Sequence, residues 1–422
     1  MRKCLFILFG SCLFIACHHH NDYPVDEQSE RTVLVYMAAE NNLNSFAASD
    51  LEEMKTGSKS LDKRHNLIVY VDQAETTPPY IARIKNGVLV DSVSMEESFT
   101  ADPAVMEKVL SYTRQTYPAA SYGLVLWGHA SGWLVSNDSI PYAASRAYGG
   151  DTGRNTSSSS GKYWMNIPSM SRAIARAMGD KALKFVFADC CNFSCVEVAY
   201  ELRHVTDYVI GSPAEIPDKG APYDIIVPDL FNSNELFYRT LTDHYYNYYL
   251  EEYKSNSNKY YNYIPGDLKG YSVPLSTFKT SELEELAQAT ATILHTIADR
   301  LDVQEQSPLD FDAMTYYGVY SNNRYAYDMR QMLLENTADK DFNVWKKVFE
   351  KAVPYAIFSA RWMTNSSLLS ANMEQFDIKA SENGCVSMFF PRNTYRLTSP
   401  IWNTTIQSYQ WNNVIRWQQY GW

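Results

Sequence analysis

Residues 185–203 read FVFADCCNFSCVEVAYELR. The first part is apolar and β-favouring as far as Ala188, then stops in Asp189, Cys190 and Cys191. Asn192, a good N-cap residue, then precedes a run at helical spacing. A buried strand feeding directly into a helix is the unit of a parallel sheet. The same unit recurs on either side. TVLVYMAAE (residues 32–40) precedes Leu43, Phe46, Ala47, Leu51 and Met54 at helical spacing, closed by Gly57. NLIVYVDQ (66–73), YGLVLWGHA (122–130) and DYVIGSP (207–213) read as further buried strands. Helices are expected from Asp102-Pro103 and over IPSMSRAIARAM (167–178), and Asn86-Gly87 marks a hairpin. The fold class is therefore α/β, with a mostly parallel central sheet and helices on both faces.

From about residue 226 the pattern changes to long helices, expected over 234–253 and 281–301. GCVSMFFP (384–391) reads as one late strand, a candidate addition to the core sheet. The domain reading is a signal peptide over 1–16, a tether over 17–30, a core over 31–225 and a C-terminal helical portion over 226–422. No internal repeat is visible.

Composition is that of a globular chain: 45% hydrophobic and 20% charged residues over 422 positions. The net charge of −11 and the lack of a Lys/Arg stripe argue against nucleic-acid binding. Many of the 32 tyrosines lie between Tyr238 and Tyr263, and serve as packing material or as a binding face.

The N-terminus, MRKCLFILFGSCLFIAC, has a basic start at Arg2 and Lys3 and an apolar run to Ala16, too short for a membrane span. It resembles a bacterial lipoprotein box ending at Cys17, with Phe14 where leucine is usual; the alternative is an ordinary signal peptide cut nearby. The expected location is exported and membrane-anchored, periplasmic or at the cell surface, with N-terminal lipid as the only membrane contact. Cys190, Cys191, Cys195 and Cys385 then remain in the body of the chain. They lack zinc-type spacing, so no metal site is assigned.

Two strand ends carry the chemistry. One leads into His129; the other leads into Asp189, Cys190 and Cys191. If both strands are parallel, both ends open on one edge, where a thiol nucleophile and an imidazole can meet. A helix starting after Asn192 would lower the Cys191 pKa and aim N–H groups at an oxyanion. Strand alternation turns Asp189 and Cys191 one way and Cys190 the other. Asp189 in the same pocket as Cys191 suits a substrate cation. Cys195, one turn into the expected helix, and Cys385, in an apolar strand, read as core. His204 reads as satisfying a helix C-terminus; His18, His19 and His20 lie in the tether, and His65, His244 and His295 follow no strand end.

VLVYMAAENNL, LVLWGHASGW, DCCNFSCVEVAYELR and GCVSMFFP together resemble the clostripain family of cysteine peptidases, over about residues 32–391. The resemblance implies a caspase-like α/β/α sandwich and an endopeptidase favouring Arg or Lys at P1, the residue on the acyl side of the cut. It implies His129 and Cys191 as the catalytic pair and Asp189 as the contact of a basic P1 side chain. It also implies an oxyanion hole from the N–H groups of Ala130 and Cys191. Ala130 stands where the family usually has glycine, Cys190 where it has alanine, and Lys219 adds a cation to an otherwise acidic pocket loop. Arg146, Arg154 and Lys162 are candidate self-cleavage positions. No cofactor is expected; calcium, used by some relatives, has no loop evident in the sequence. The expected partner is a protein or peptide substrate, and no oligomeric state is read. The competing reading is a catalytically inactive surface binding lipoprotein on the same fold.

Overall fold

The computed structural model describes residues 29–73, 78–134, 147–154, 163–180, 182–254, 268–304, 309–320, 323–367, 370–398 and 401–422. The signal segment, Cys17, Arg146 and Lys162 lie outside the described residues.

Nine strands make the central sheet: β1 (Ser29–Ala39), β2 (His65–Gln73), β3 (Tyr80–Lys85), β4 (Val88–Ser94), β5 (Ala119–Trp127), β6 (Leu183–Asp189), β7 (Thr206–Gly211), β8 (Leu275–Lys279) and β9 (Tyr355–Ile357). Their order is β9-β8-β7-β6-β5-β1-β2-β3-β4. The five central strands, β7 to β2 in that order, are parallel to one another. Antiparallel strands extend both edges. The β3–β4 turn is built as its sequence demands: Asn86 and Gly87 both take positive φ, 50° and 87°.

Helices α1 (Asn44–Ser58), α5 (Tyr223–Leu230) and α6 (Phe237–Glu252) pack in one group. Helices α2 (Pro103–Thr116), α3 (Ile167–Met178) and α4 (Val196–Leu202) pack in another. The crossover from β1 to β2 runs toward one edge and those from β2 to β5, β6 and β7 toward the other, so right-handed crossovers put the groups on opposite faces. Asp102 caps α2 by accepting from Ala104 N at 2.8 Å, with Pro103 in the first turn.

The C-terminal half departs from expectation in two ways. Residues 384–391 do not join the core sheet. Only Ser387–Met388 form a strand, pairing antiparallel with Tyr327–Asp328. The cause is Asp328, a buried carboxylate that accepts from Gly384 N (2.9 Å) and Cys385 N (3.0 Å), while Cys385 takes a φ of 55°. Those backbone groups are thereby withdrawn from a ladder. The sheet gains β8 and β9 instead, so residues beyond 226 complete one of its edges. The helical run 281–301 is broken into a 3-10 turn at Thr280–Glu282, α7 (Leu283–His295) and a short turn at Ala298–Leu301. Of the tyrosine-rich stretch, Tyr238, Tyr245, Tyr249 and Tyr253 are buried in the core, with Tyr249 and Tyr253 stacked at 5.8 Å, whereas Tyr246 and Tyr248 are half-buried; Tyr260, Tyr261 and Tyr263 lie outside the described residues. Among the described residues no helix is long and apolar enough to cross a membrane.

Where β1, β5 and β6 end decides the site. The chain leaves β1 toward β2 and returns on the other side through β5, so a crevice opens at their carboxyl ends. Register is tight there: Met37 pairs with Trp127, and Trp127 with Asp189. Upstream, Gly123 of β5 lies flat beneath the Phe185 ring; a Cβ on it would sit 2.3 Å from that ring. Phe185 is itself held by Phe237, 5.3 Å between ring centroids, so it cannot retreat freely. Gly123→Ala is expected to destabilise the fold by about 1–3 kcal/mol through overpacking. Urea unfolding measures it, and Phe185→Leu in the same chain should recover part of the loss.

Candidate active site

His129 and Cys191 each lie two residues beyond a paired position, Trp127 and Asp189. The segments that carry them touch. Gly128 N donates to Asp189 O at 3.4 Å. Gly132, at φ +64°, faces the Asn192 carbonyl so closely that a Cβ would lie 2.6 Å from it. The parallel register thus delivers both predicted catalytic side chains to one edge.

Beyond β5 the chain pairs antiparallel with Tyr148–Asp151, matching His129 with Gly149 and Ala130 with Tyr148. His129 Nε2–H donates to Asn42 Oδ1 at 2.9 Å, and its ring faces Trp164 at 6.3 Å. Ser131 N donates to Ala147 O at 3.0 Å. Bonded pairs alternate along an antiparallel ladder, so Ala130, one residue earlier, turns its N–H away from the 148–151 strand. Ala130 is not among the residues of positive φ, so alanine fits here without backbone strain.

The adjacent cysteines separate as strand alternation requires. Cys190 is fully buried, whereas Cys191 is partly exposed; of the four free cysteines among the described residues, the other three are all buried. Cys195 and Cys385 are core, as expected.

The local setting of Cys191 differs from the sequence reading. Asn192 does not cap a helix. It takes a φ of 55°, and its Nδ2 donates to Pro213 O at 2.9 Å. Helix α4 starts only at Val196, with Cys195 at the N-cap. Cys191 is therefore too far from the helix end to feel its dipole, which acts over about one turn. Its thiol lies against the 212–222 loop: Ile216 N–H donates to Sγ at 3.5 Å, and S–H faces Ile216 O at 3.9 Å. Burial first, then the charge of Glu215, with smaller effects of Asp189 and Asp218, push the thiol pKa up rather than down.

Asp189 is a buried hub. It accepts from Ala221 N at 3.0 and 3.1 Å, from Tyr223 OH at 2.8 Å and from Tyr245 OH at 3.2 Å. Gly220, at φ +66°, passes so close that a Cβ would meet the carboxylate at 2.7 Å. Burial pushes its pKa up to about 6 against the pull of those donors. Beneath it, Asp50 of α1 accepts from Trp127 Nε1 at 2.6 Å, and burial and Asp189 drive it up to about 9. Lys219 does not turn toward the thiol. Its ammonium donates to Tyr248 OH and lies near Glu53 and Glu252, so its charge is offset on α1 and α6. Arg154 is exposed on a turn after the 148–151 strand.

Several residues of this site escaped the sequence reading: Asn42, Trp164, Glu215, Ile216, Asp218, Tyr223 and Tyr245. Asn42 had a usable signal, since it follows the end of β1 as His129 follows β5.

A thiol and an imidazole at adjoining parallel strand ends are the two groups that cysteine-peptidase chemistry requires. The clostripain family model matches residues 35–422. The chain is 29% identical over 124 residues to clostripain of Hathewaya histolytica, a match spanning 24% of this chain and 23% of that protein, under a quarter of its length. The structure of a secreted C11 cysteine protease from Bacteroides thetaiotaomicron, in complex with an irreversible peptide inhibitor, is 30% identical. That likeness covers 92% of this chain and 99% of the other, with a TM-score of 0.74. An inactive zymogen C11 protease from Parabacteroides distasonis, 23% identical, has the same fold at a TM-score of 0.71 over 92% of this chain and 98% of its own. This chain belongs to the clostripain family, and its class is that of the cysteine-type endopeptidases.

The Asp189 carboxylate binds its proton more tightly folded than unfolded, where the ordinary value is near 4. Its contribution is thus fully present below about pH 4 and is lost as pH rises through about 6, roughly 3 kcal/mol in all. Asp189→Asn should flatten the unfolding free energy between about pH 4 and 6 relative to the parent. Equilibrium denaturation across that range measures the difference.

Proposed function

We propose that the chain is an exported, lipid-anchored endopeptidase in which Cys191 attacks the peptide carbonyl carbon. The observation that carries this reading is the shared offset of His129 and Cys191 beyond the paired Trp127 and Asp189, with Cys191 the accessible cysteine. Attack forms the S–C bond, and the N–H groups of Ala130 and Cys191 hold the oxyanion. His129 takes the thiol proton and gives it to the leaving amine as the C–N bond breaks; water then hydrolyses the acyl-enzyme, releasing the acid and restoring the thiol. Asn42 orients the imidazole through its hydrogen bond. The fold group implied is that of the caspases and gingipains.

Cleavage after Arg or Lys is part of the proposal. Glu215, Asp189 and Asp218 all raise the thiol pKa by their negative charge. A cationic P1 side chain entering among them removes that penalty and favours the thiolate, so the correct substrate helps to make the nucleophile. Asp189 lies beneath this entry, anchoring the loop while adding to its field; it contacts a P1 cation directly only by giving up a tyrosine hydrogen bond. The secreted relative supports export. Self-cleavage would fall at Arg146, Arg154 or Lys162. Two departures from the family pattern would favour the inactive-lipoprotein reading, Ala130 and Lys219; the first is unstrained and the second is turned toward Tyr248.

Peptide substrates test the reading. Turnover should favour Arg or Lys at P1 over Leu or Glu by about a hundredfold. Cys191→Ala should lower kcat by about a thousandfold or more with the fold retained, while Cys190→Ala keeps turnover within about tenfold. Equal turnover of Glu and Arg substrates would remove the specificity, and an active Cys191→Ala chain would remove the mechanism.

Anchoring has its own test. Cys17→Ser should move the chain from the membrane fraction to the soluble fraction of an expressing bacterium. Unchanged membrane association would rule out lipid at that position.

A further inference from the structure

A cavity of about 250 Å³ opens beside β9, the outermost strand at one edge of the sheet. Its walls come from helix α8 (Met329–Asn336), the end of helix α9 (Asp339–Ala352), the chain around β9 and the turn at 380–384. Phe349, Val353, Pro354 and Phe358 supply apolar lining, and Arg330 supplies a cation. No residue of the peptidase site lines it.

Arg330 is under-bonded for its depth. It is 8% exposed. Its Nη2 donates to Ser381 O at 2.9 Å, and its Nε is buried without a hydrogen-bond partner. Its ion-pair partner Glu350 stands 3.8 Å away, beyond hydrogen-bond distance. That glutamate is 52% exposed and is shared with Lys346 at 3.7 Å. A buried guanidinium with most of its N–H groups unused is costly, and an exposed carboxylate offsets little of that cost.

The surroundings hold this charge in place. Asp328 accepts from Gly384 N, while Asn383 Nδ2 donates to Thr315 Oγ1 and its Oδ1 accepts from Lys379 N, both at 3.0 Å. The 379–384 turn is thereby fixed, with Ser381 O presented to Arg330. A Cβ on Gly384 would lie 2.8 Å from the Phe349 ring and 3.0 Å from Arg330 Cβ, so only glycine allows this approach. Arg330 is clamped at both its root and its head before any ligand arrives, which lowers the ordering cost of binding.

We propose that this cavity binds a small carboxylate carried on an apolar body. A planar guanidinium fork matches a carboxylate by two parallel hydrogen bonds, which Ser381 O and Glu350 do not supply. The apolar lining would cover a ring or short hydrocarbon, whereas an inorganic anion would leave it unused. At about 30 Å³ per water the space equals about eight waters, so the body is small. The inference does not rest on the peptidase reading.

The probe is 3-phenylpropionate, with its neutral amide and acetate as controls. Saturation-transfer NMR on the full chain measures all three. The acid should bind with a Kd at or below about 1 mM, and both controls at least about tenfold more weakly. Arg330→Gln should weaken the acid by about tenfold or more. Glu350→Gln, a surface change, removes the competing carboxylate; it should tighten the acid about twofold to fivefold and leave the amide unchanged. A purely structural Arg330–Glu350 pair predicts no such tightening, and this variant decides alone should Arg330→Gln unfold. N-acetylphenylalanine stands in for a peptide C-terminus. Tighter binding than 3-phenylpropionate assigns the site to chain ends and weaker binding to free acids, and either sustains it. The site is overturned by no saturation below about 10 mM acid, by equal binding of acid and amide, by unchanged affinity in folded Arg330→Gln, or by Glu350→Gln without tightening. Equal binding of acetate overturns the apolar half of the proposal.

Discussion

The parallel pairing of β1, β5 and β6 sets everything at the carboxyl edge of the sheet. Trp127 is fixed between Met37 and Asp189, and the chain then leaves β5 and β6 at the same height. A slip of one residue would turn every side chain on a strand to the opposite face, so register here carries large consequences. Buried packing beneath it, such as Gly123 under Phe185, leaves no comfortable alternative. His129 and Cys191 inherit their positions from this constraint, and Gly132 against the Asn192 carbonyl closes the remaining gap.

Negative charge is the second theme. Asp50, Asp189, Glu215 and Asp218 lie around or beneath the thiol, and Glu40, Asp72 and Asp151 lie behind the imidazole. Neighbouring negative charge adds to burial in raising the pKa of the Cys191 thiol and of Asp72. The 212–222 loop joins the thiol to the C-terminal half, since Glu215 N donates to Met363 O at 3.4 Å. The late residues therefore shape the pocket as well as the sheet edge.

Much of this was legible in the sequence because the signals are local. Asn86-Gly87 specifies its turn, and the apolar runs before His129 and Asp189 specify strands that end where the chemistry begins. Alternation turns Cys190 and Cys191 to opposite faces, and the family resemblance, not alternation, chose Cys191. The failures came from distant contacts. Asn192 reads as a helix cap, but Pro213 and its own left-handed backbone claim it, so α4 starts three residues later. Residues 384–391 read as a core strand, but Asp328 takes their N–H groups. The three carboxylates behind His129 come from three separate segments, a pattern that no local spacing rule detects. The lowered thiol pKa expected from a helix dipole fails for the same reason as the cap.

The most direct test is covalent. The soluble chain, beginning after Cys17, is treated with a thiol-directed peptide probe bearing Arg at P1, and the labelled residue is mapped by mass spectrometry. The account predicts label on Cys191 alone, blocked by excess Arg peptide and much slowed in His129→Ala. Label on Cys190, or labelling indifferent to both the peptide and His129, would contradict it.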